Sequence, residues 1–186
     1  VAAPTAGSCG VLPAVLIPLA EERDVPEETI LQALYIAAGF GQVTALRASV
    51  AGAEGGCQAE VGSASAMAAS AAVELFGGTP RQCMDAASFA MVNILGLVCD
   101  PIGGLVENPC QNRNAMGASN ALISAELSLA GVKSITPIDE TIGVMYAVGR
   151  SIPSELRETS LGGMAVAKSA CENCMACANK RNKMKK

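Results

Sequence analysis

The chain has 186 residues and a net charge of −4, and it is 51% hydrophobic but only 3% aromatic. This length predicts one domain with a sizeable buried core. The acidic balance and the few aromatic side chains argue against nucleic-acid binding. The longest nearly apolar run, 86–99, is shorter than the roughly 20 residues that a membrane span needs. We therefore expect no nucleic acid and no membrane as partners.

Glycine and proline divide the rest of the sequence into predicted helices. Asp24, followed by Pro26 and acidic residues, is typical of a capped helix start, and Thr79 with Gln82 has the spacing of a capping box. Patterns typical of strands are scarce, so the expected fold class is all-α: a single compact helical domain with Gly/Pro-rich loops. The predicted helices cover 12–21, 24–49, 57–76, 79–97, 111–130 and 136–148.

Two features of the composition restrict the chemistry. The chain contains no histidine, which excludes His-based zinc sites and Ser-His or Cys-His pairs within it. It contains eight cysteines but no visible secretory signal, so we expect a cytoplasmic protein whose cysteines are metal ligands or reactive thiols. Lysine occurs only at Lys133, Lys168 and in the C-terminal tail, and no phosphate loop precedes it, so we expect no pyridoxal phosphate (PLP).

The cysteines differ in their sequence surroundings. Cys83 lies in a predicted amphipathic helix and is interpreted as a small buried hydrophobe, whereas Cys9 lies in the N-terminal loop. Cys57, Cys99 and Cys110 each lie where a predicted helix meets a Gly- or Pro-rich segment, whose free amides could be directed at sulfur. Three such thiolates could hold three irons of a [4Fe–4S] cluster and leave the fourth open. Buried free thiols would give the same pattern.

The C-terminal stretch is set apart by composition. Cys171, Cys174 and Cys177 form a C-x₂-C-x₂-C run followed by lysines and an arginine. Ferredoxin-type clusters use such spacing, but only three cysteines are present and no proline follows. We therefore divide the chain into a helical domain, 1–170, and a cysteine-containing basic tail, 171–186, that is expected to be solvated.

Longer motifs occur in five segments: 3–10 (APTAGSCG), 54–60 (EGGCQAE), 99–104 (CDPIGG), 109–114 (PCQNRN) and 157–163 (RETSLGG). In this order they resemble the α chain, or catalytic domain, of the iron–sulfur-dependent L-serine dehydratases. The resemblance implies that 1–170 is a helical catalytic domain lacking the family's upstream part. It also implies a β chain or regulatory domain as partner, in a homo- or hetero-oligomer.

The resemblance further implies a cofactor and a reaction. Cys57, Cys99 and Cys110 would ligate a [4Fe–4S] cluster, with Cys171 as the candidate fourth ligand in the resting state. The open iron would act as a Lewis acid on the hydroxyl of L-serine, which is converted to pyruvate and ammonia. The alternatives are a related iron–sulfur lyase such as a cysteine desulfidase, and a non-enzymatic electron-transfer or redox-sensing protein.

Substrate contacts are expected in two of these motifs. Hydroxyls and amides of the first loop could hold a carboxylate, and an arginine could pair with it bidentately. The alternative roles are ordinary turn chemistry for the loop residues and a salt bridge on the helix surface for Arg113. The candidate substrate-binding residues are Thr5, Gly7, Ser8, Arg113 and Asn114.

The general base is not identified by any motif. Glu54 and Glu60 flank Cys57 in an otherwise uncharged stretch, so either could be the base. Both could instead cap the helix, and the base could come from the partner chain.

Overall fold

The structure, a computed structural model, describes residues 4–173, and α-helices form most of this range. No strand occurs within it, which confirms the all-α prediction. Short 3₁₀ helices cover Ala6–Gly10, Ile102–Gly104, Ser154–Leu156 and Gly163–Val166. The α-helices of the described range are α1 (Val11–Arg23), α2 (Glu27–Arg47), α3 (Gly52–Gly55), α4 (Cys57–Leu75), α5 (Pro80–Asn93), α6 (Cys110–Leu129), α7 (Ile138–Ser151) and α8 (Lys168–Asn173).

The predicted helix ends are partly correct. The Thr79–Gln82 capping box is present: the Gln82 amide donates to Thr79 Oγ1 at 3.3 Å, and the Thr79 amide donates to Gln82 Oε1 at 2.9 Å. The predicted cap at Asp24 is wrong, because Asp24 adopts a left-handed conformation (φ 50°) that ends α1, and α2 begins after Pro26. The helix predicted to reach residue 97 ends at Asn93 and continues as turns.

Helix α4 forms the centre of the fold. Every residue of α4 except Glu74 is buried, and α1, α2, α5 and α6 pack around it. Its many alanines and serines have small side chains, which let the neighbouring helix axes approach closely. At Gly117 of α6, a Cβ atom would lie 2.7 Å from a Val61 methyl, so this contact requires glycine.

Hydrogen bonds fix how α4, α5 and α6 are aligned. Ser65 of α4 donates to the carbonyl of Gly117 in α6 at 2.8 Å, and the Asn120 amide donates to Ser65 at 2.9 Å and to the Ala90 carbonyl at 2.8 Å. Nearer the helix starts, Arg113 of α6 lies against Cys57 of α4, so the two contacts run in the same order along both helices. Helices α4 and α6 are therefore parallel and begin at the same end. Helix α5 runs in the opposite direction and ends there.

Helix α2 has an exposed outer face. Ala33 and Ala37 are buried against α4, whereas Tyr35 and Leu46 are each 78% exposed. Within residues 4–173, α2 is the one helix that is long and apolar enough to cross a membrane, judged by length and composition alone. Core helices of soluble proteins meet the same criteria, so this feature argues only weakly for a span.

Candidate functional site

Three cysteine thiols meet at the end of the fold where α4 and α6 begin. Cys57 is the first residue of α4 and Cys110 the first of α6, and Cys99 follows the turns that end α5. Cys57 and Cys99 are each 3% exposed, and Cys110 is 9% exposed. The parallel alignment of α4 and α6 therefore places Cys57 and Cys110 at the same end of the fold, and Cys99 is hydrogen-bonded to Cys57 there. Cys83, by contrast, is a buried residue of α5, as the sequence predicts.

The three thiols differ in acidity. A hydrogen bond from the Cys99 thiol lowers the pKa of Cys57, and the positive charge of Arg113 adds to this against the opposing effect of burial. The same hydrogen bond, together with burial, raises the pKa of Cys99. Burial, followed by the charges of Cys57 and Glu60, raises the pKa of Cys110. Cys57 is therefore the first of the three to become a thiolate.

Arg113 is held by an internal ion pair. Its Nη1 atom lies 2.5 Å from Asp100 Oδ1, 2.9 Å from the Val98 carbonyl and 3.9 Å from Cys57 Sγ. Only 15% of the Arg113 side chain and 2% of the Asp100 side chain are exposed. Arg113 thus forms a salt bridge, the predicted alternative to substrate binding. The bridge is buried rather than on the helix surface. Its predicted contact with substrate remains a prediction.

The 157–163 motif folds over the loop that carries Cys99. The Cys99 amide donates to the Leu156 carbonyl at 2.8 Å, and the Glu158 amide donates to the Cys99 carbonyl at 2.7 Å. The second carboxylate oxygen of Asp100 accepts a hydrogen bond from the Met164 amide at 2.6 Å. Asp100 therefore joins this segment to Arg113, which places Cys99 between two parts of the chain that are distant in sequence.

Glu60 lies among the thiols, whereas Glu54 does not. A Cβ atom on Gly52 would lie 2.9 Å from Glu60 Oε2 and 3.0 Å from Cys99 Sγ, so Gly52 leaves the space that these groups occupy. Burial raises the pKa of Glu60 to about 7, the charge of Glu158 adds to this rise, and a hydrogen bond from the Ser8 amide opposes it. Glu60 can therefore exchange a proton near neutral pH.

Glu54 is exposed and accepts a hydrogen bond from the Ser49 hydroxyl. It lines a separate cavity that α7 and Arg157 also border.

The N-terminal loop packs against the start of α6. A Cβ atom on Gly7 would lie 2.6 Å from Asn114 Nδ2, and the buried Oδ1 atom of Asn114 has no hydrogen-bond partner among the described residues. The side-chain hydroxyls of Thr5 and Ser8 donate to the carbonyls of Val50 (3.0 Å) and Thr5 (2.5 Å). The Ser8 hydroxyl thus performs turn chemistry, whereas the Thr5 hydroxyl ties the loop to the segment before α3. Asn114 keeps an unused acceptor beside the loop.

The thiols of Cys57, Cys99 and Cys110 are the candidate metal ligands of this site. Within residues 4–173, no group of three or more Cys, Asp or Glu side chains is arranged to hold a single metal ion. A [4Fe–4S] cluster places each thiolate on a different iron, so it needs a wider arrangement than one ion does. Three buried thiols from separate segments, beside the space left by Gly52, fit such a cluster in donor chemistry.

Cys171 cannot be placed in this site. Its side chain and residues 174–186, with Cys174, Cys177 and the basic tail, lie outside the described part of the structure.

Two site residues were not predicted from the sequence. Asp100 directly follows Cys99 and is the single charge in the 99–104 motif, a signal that could have identified it. Gly52 is one of several glycines before Cys57, and nothing in the sequence distinguishes it from the others.

Comparison with known proteins gives a consistent result. The family model described as "Serine dehydratase alpha chain" matches residues 1–165. The chain is 54% identical over 164 residues to "Probable L-serine dehydratase, alpha chain" of Bacillus subtilis (strain 168), covering 88% of this chain and 55% of the relative. It is 55% identical over 168 residues to "L-serine dehydratase, alpha chain" of Peptoniphilus asaccharolyticus, covering 90% and 58%.

A further relative is "Probable L-serine dehydratase, alpha chain" of Latilactobacillus sakei, with 53% identity over 164 residues, 88% of this chain and 78% of the relative. The chain thus spans little more than half the length of the Bacillus and Peptoniphilus relatives.

Proposed function

This chain belongs to the serine dehydratase α-chain family, and we propose that it supplies the catalytic centre of an L-serine dehydratase. The observation that carries the proposal is the meeting of Cys57, Cys99 and Cys110 around Glu60 and Gly52. The names of the relatives specify an α chain, so the proposed partner is a β chain of the same enzyme. The proposed location is the cytoplasm, as the eight cysteines without a visible secretory signal predict.

The cofactor is the second part of the proposal. Cys57, Cys99 and Cys110 would hold a [4Fe–4S] cluster, with Cys171 as the candidate fourth ligand. When bound, such a cluster supplies a Lewis acid at its iron without a permanent thiolate. Arg113 supports this binding because its charge favours the thiolate form of Cys57, and thiolates are the form that binds iron.

The chain's own residues then have distinct roles in removing water from serine. Glu60 accepts the α-proton, the bond from Cβ to the hydroxyl oxygen breaks, and the Cα–Cβ double bond forms. The departing hydroxide takes up a proton to give water. The resulting enamine tautomerises to an imine, and water hydrolyses the imine to pyruvate and ammonia. Glu60 is suited to this step because its pKa of about 7 lets it accept and return a proton near neutral pH.

The remaining contacts orient the substrate. The unpartnered Oδ1 atom of Asn114 can accept a hydrogen bond from the substrate ammonium group, and the backbone amides around Gly7 can bind its carboxylate. Thr5 and Ser8 shape this loop through their hydrogen bonds to backbone carbonyls. Arg113 positions Cys57 and the Cys99 loop through Asp100.

The test compares serine-for-cysteine variants after anaerobic cluster reconstitution, with a β chain of the family present in the activity assay. Cys57→Ser, Cys99→Ser and Cys110→Ser are each expected to fall below the roughly four irons per chain of the unmodified protein, and to lose pyruvate formation. Cys83→Ser is the matched control, since Cys83 is also buried but belongs to α5. Full iron content in any of the first three variants would contradict the ligand assignment.

The same assay decides between leaving groups. All three relatives described above are named as serine dehydratases, so neither the cysteine desulfidase nor the electron-transfer alternative is favoured. Pyruvate formation from L-serine should exceed that from L-threonine and L-cysteine. A higher rate with L-cysteine would assign the site to thiol elimination instead.

A further inference from the structure

A polar cavity lies between α4 and α7, away from the Cys57 side chain. It has a volume of about 290 Å³, and α3, α4, α7 and the 157–163 motif contribute to its wall. Ala59 of α4 lines it, and at about 100° per residue Ala59 points some 200° away from Cys57 around the helix. The residues that line this cavity are Ser49, Ala53, Glu54, Gly55, Ala59, Met145, Tyr146, Arg150 and Arg157.

Two arginines of this cavity have no charged partner. Neither Arg150 nor Arg157 forms an ion pair with any residue of the range 4–173. Arg157 donates one long hydrogen bond, 3.4 Å, from Nη1 to the Glu54 carbonyl, and its buried Nε atom has no partner among the described residues. A buried donor without an acceptor is unfavourable, and guanidinium groups match the geometry of carboxylates. The free Nε donor of Arg157 can therefore take a carboxylate as its partner.

The cavity is connected to the Cys99 loop through the backbone. Arg157 lies between Leu156 and Glu158, and these two residues form the backbone hydrogen bonds to Cys99. A ligand that fixes Arg157 would therefore also restrict the segment that holds Cys99.

We propose that this cavity is a second ligand site, which binds a small carboxylate between Arg150 and Arg157 and stiffens the Cys99 loop. The single acid in its wall, Glu54, leaves an excess of positive charge. An amino acid and a 2-oxo acid share the carboxylate that the arginines recognise, and they differ in the ammonium group that Glu54 would attract.

Calorimetric titration of the 186-residue chain tests the site without requiring a loaded cluster. L-Alanine and pyruvate are suitable probes because they have the same carbon skeleton. Carbon 2 carries an ammonium group in L-alanine and an oxo group in pyruvate. We expect saturable binding of at least one probe, and a Kd raised at least about tenfold by Arg150→Gln and by Arg157→Gln. Lys133→Gln, which removes the same charge from an exposed turn, should leave the Kd within about twofold.

The Glu54→Gln variant identifies the ligand class. It should weaken L-alanine binding if the ammonium group faces Glu54, or strengthen pyruvate binding by removing a like charge. Weaker binding of L-alanine by Glu54→Gln assigns the site to an amino acid, and tighter binding of pyruvate assigns it to a 2-oxo acid. Absence of binding at millimolar concentrations, or binding that survives both arginine substitutions, would overturn the proposal, as would an unaltered Kd in Glu54→Gln.

Hydrogen exchange measures the link to the thiols. Saturating probe should slow exchange of the Cys99 and Glu158 amides in the unmodified chain and leave it unchanged in Arg150→Gln. Unchanged exchange with bound probe would refute the coupling. These measurements use no substrate turnover, so a failure of the dehydratase proposal would be seen separately, in the iron and pyruvate assays.

Discussion

Removal of the charge on Asp100 should cost much of the stability of the domain. Asp100 and Arg113 are a nearly buried pair, and the two oxygens of Asp100 accept hydrogen bonds from Arg113 and from the Met164 amide. In Asp100→Asn the side chain keeps its shape but retains one oxygen, so its amide group must face one of the two donors. Arg113 also loses its counter-charge while remaining mostly buried.

The magnitude follows from the burial of the pair. Removing one partner of a fully buried pair costs about 3–5 kcal/mol. Arg113 keeps 15% of its side-chain exposure and the asparagine keeps one acceptor, so we expect a loss of about 2–4 kcal/mol. Domains of this kind have unfolding free energies of about 5–15 kcal/mol, so such a loss is a large fraction of the total.

Urea unfolding followed by far-ultraviolet circular dichroism, under anaerobic reducing conditions, measures this loss as a lower midpoint at constant m-value. Asp139→Asn is the matched control: its partner is Arg47, both side chains are more than half exposed, and exposed pairs contribute about 0–1 kcal/mol. The double variant Asp100→Asn/Arg113→Met should regain part of the stability, since no unpaired buried cation remains. A loss below about 1 kcal/mol in Asp100→Asn, or strict additivity in the double variant, would refute the reasoning.

Two further predictions concern Gly52 and Glu60. After reconstitution, Gly52→Ala should bind less than half the iron of the unmodified chain, because the added Cβ atom would lie 3.0 Å from Cys99 Sγ. Gly143→Ala, on an open surface of α7, is the control and should bind as much iron as the unmodified chain; equal iron in the two variants would contradict the role of Gly52. Burial raises the pKa of Glu60 from 4.5 to about 7, so the folded chain binds this proton more tightly than the unfolded chain does. Protonation of Glu60 therefore makes its full contribution to the free energy of unfolding below pH 4.5. This contribution, about 3 kcal/mol, is lost as the pH rises to about 7. The difference in unfolding free energy between Glu60→Gln and the unmodified chain, measured from pH 4.5 to 8, should follow this curve, and a flat difference would show that Glu60 is not desolvated.

The sequence alone predicted most of the local structure and the candidate set of thiols. The Thr79–Gln82 box, the helix breaks at glycine and proline, and the small residues of α4 act over a few residues, so their effects can be predicted from neighbouring positions. The family motifs selected Cys57, Cys99 and Cys110 from eight cysteines. The cap at Asp24 was misassigned because aspartate also tolerates the left-handed conformation that ends a helix.

The tertiary structure decided which of these residues meet. Glu54 and Glu60 are equivalent in the sequence, since each lies three residues from Cys57. The start of α4 at Cys57 places Glu60 one turn into a buried helix, whereas Glu54 lies on the exposed side of the short helix α3. Asp100 and the cavity beside Arg157 likewise depend on contacts between segments more than 50 residues apart. Such contacts follow from the parallel alignment of α4 and α6 and the return of the 157–163 motif, which no local pattern specifies.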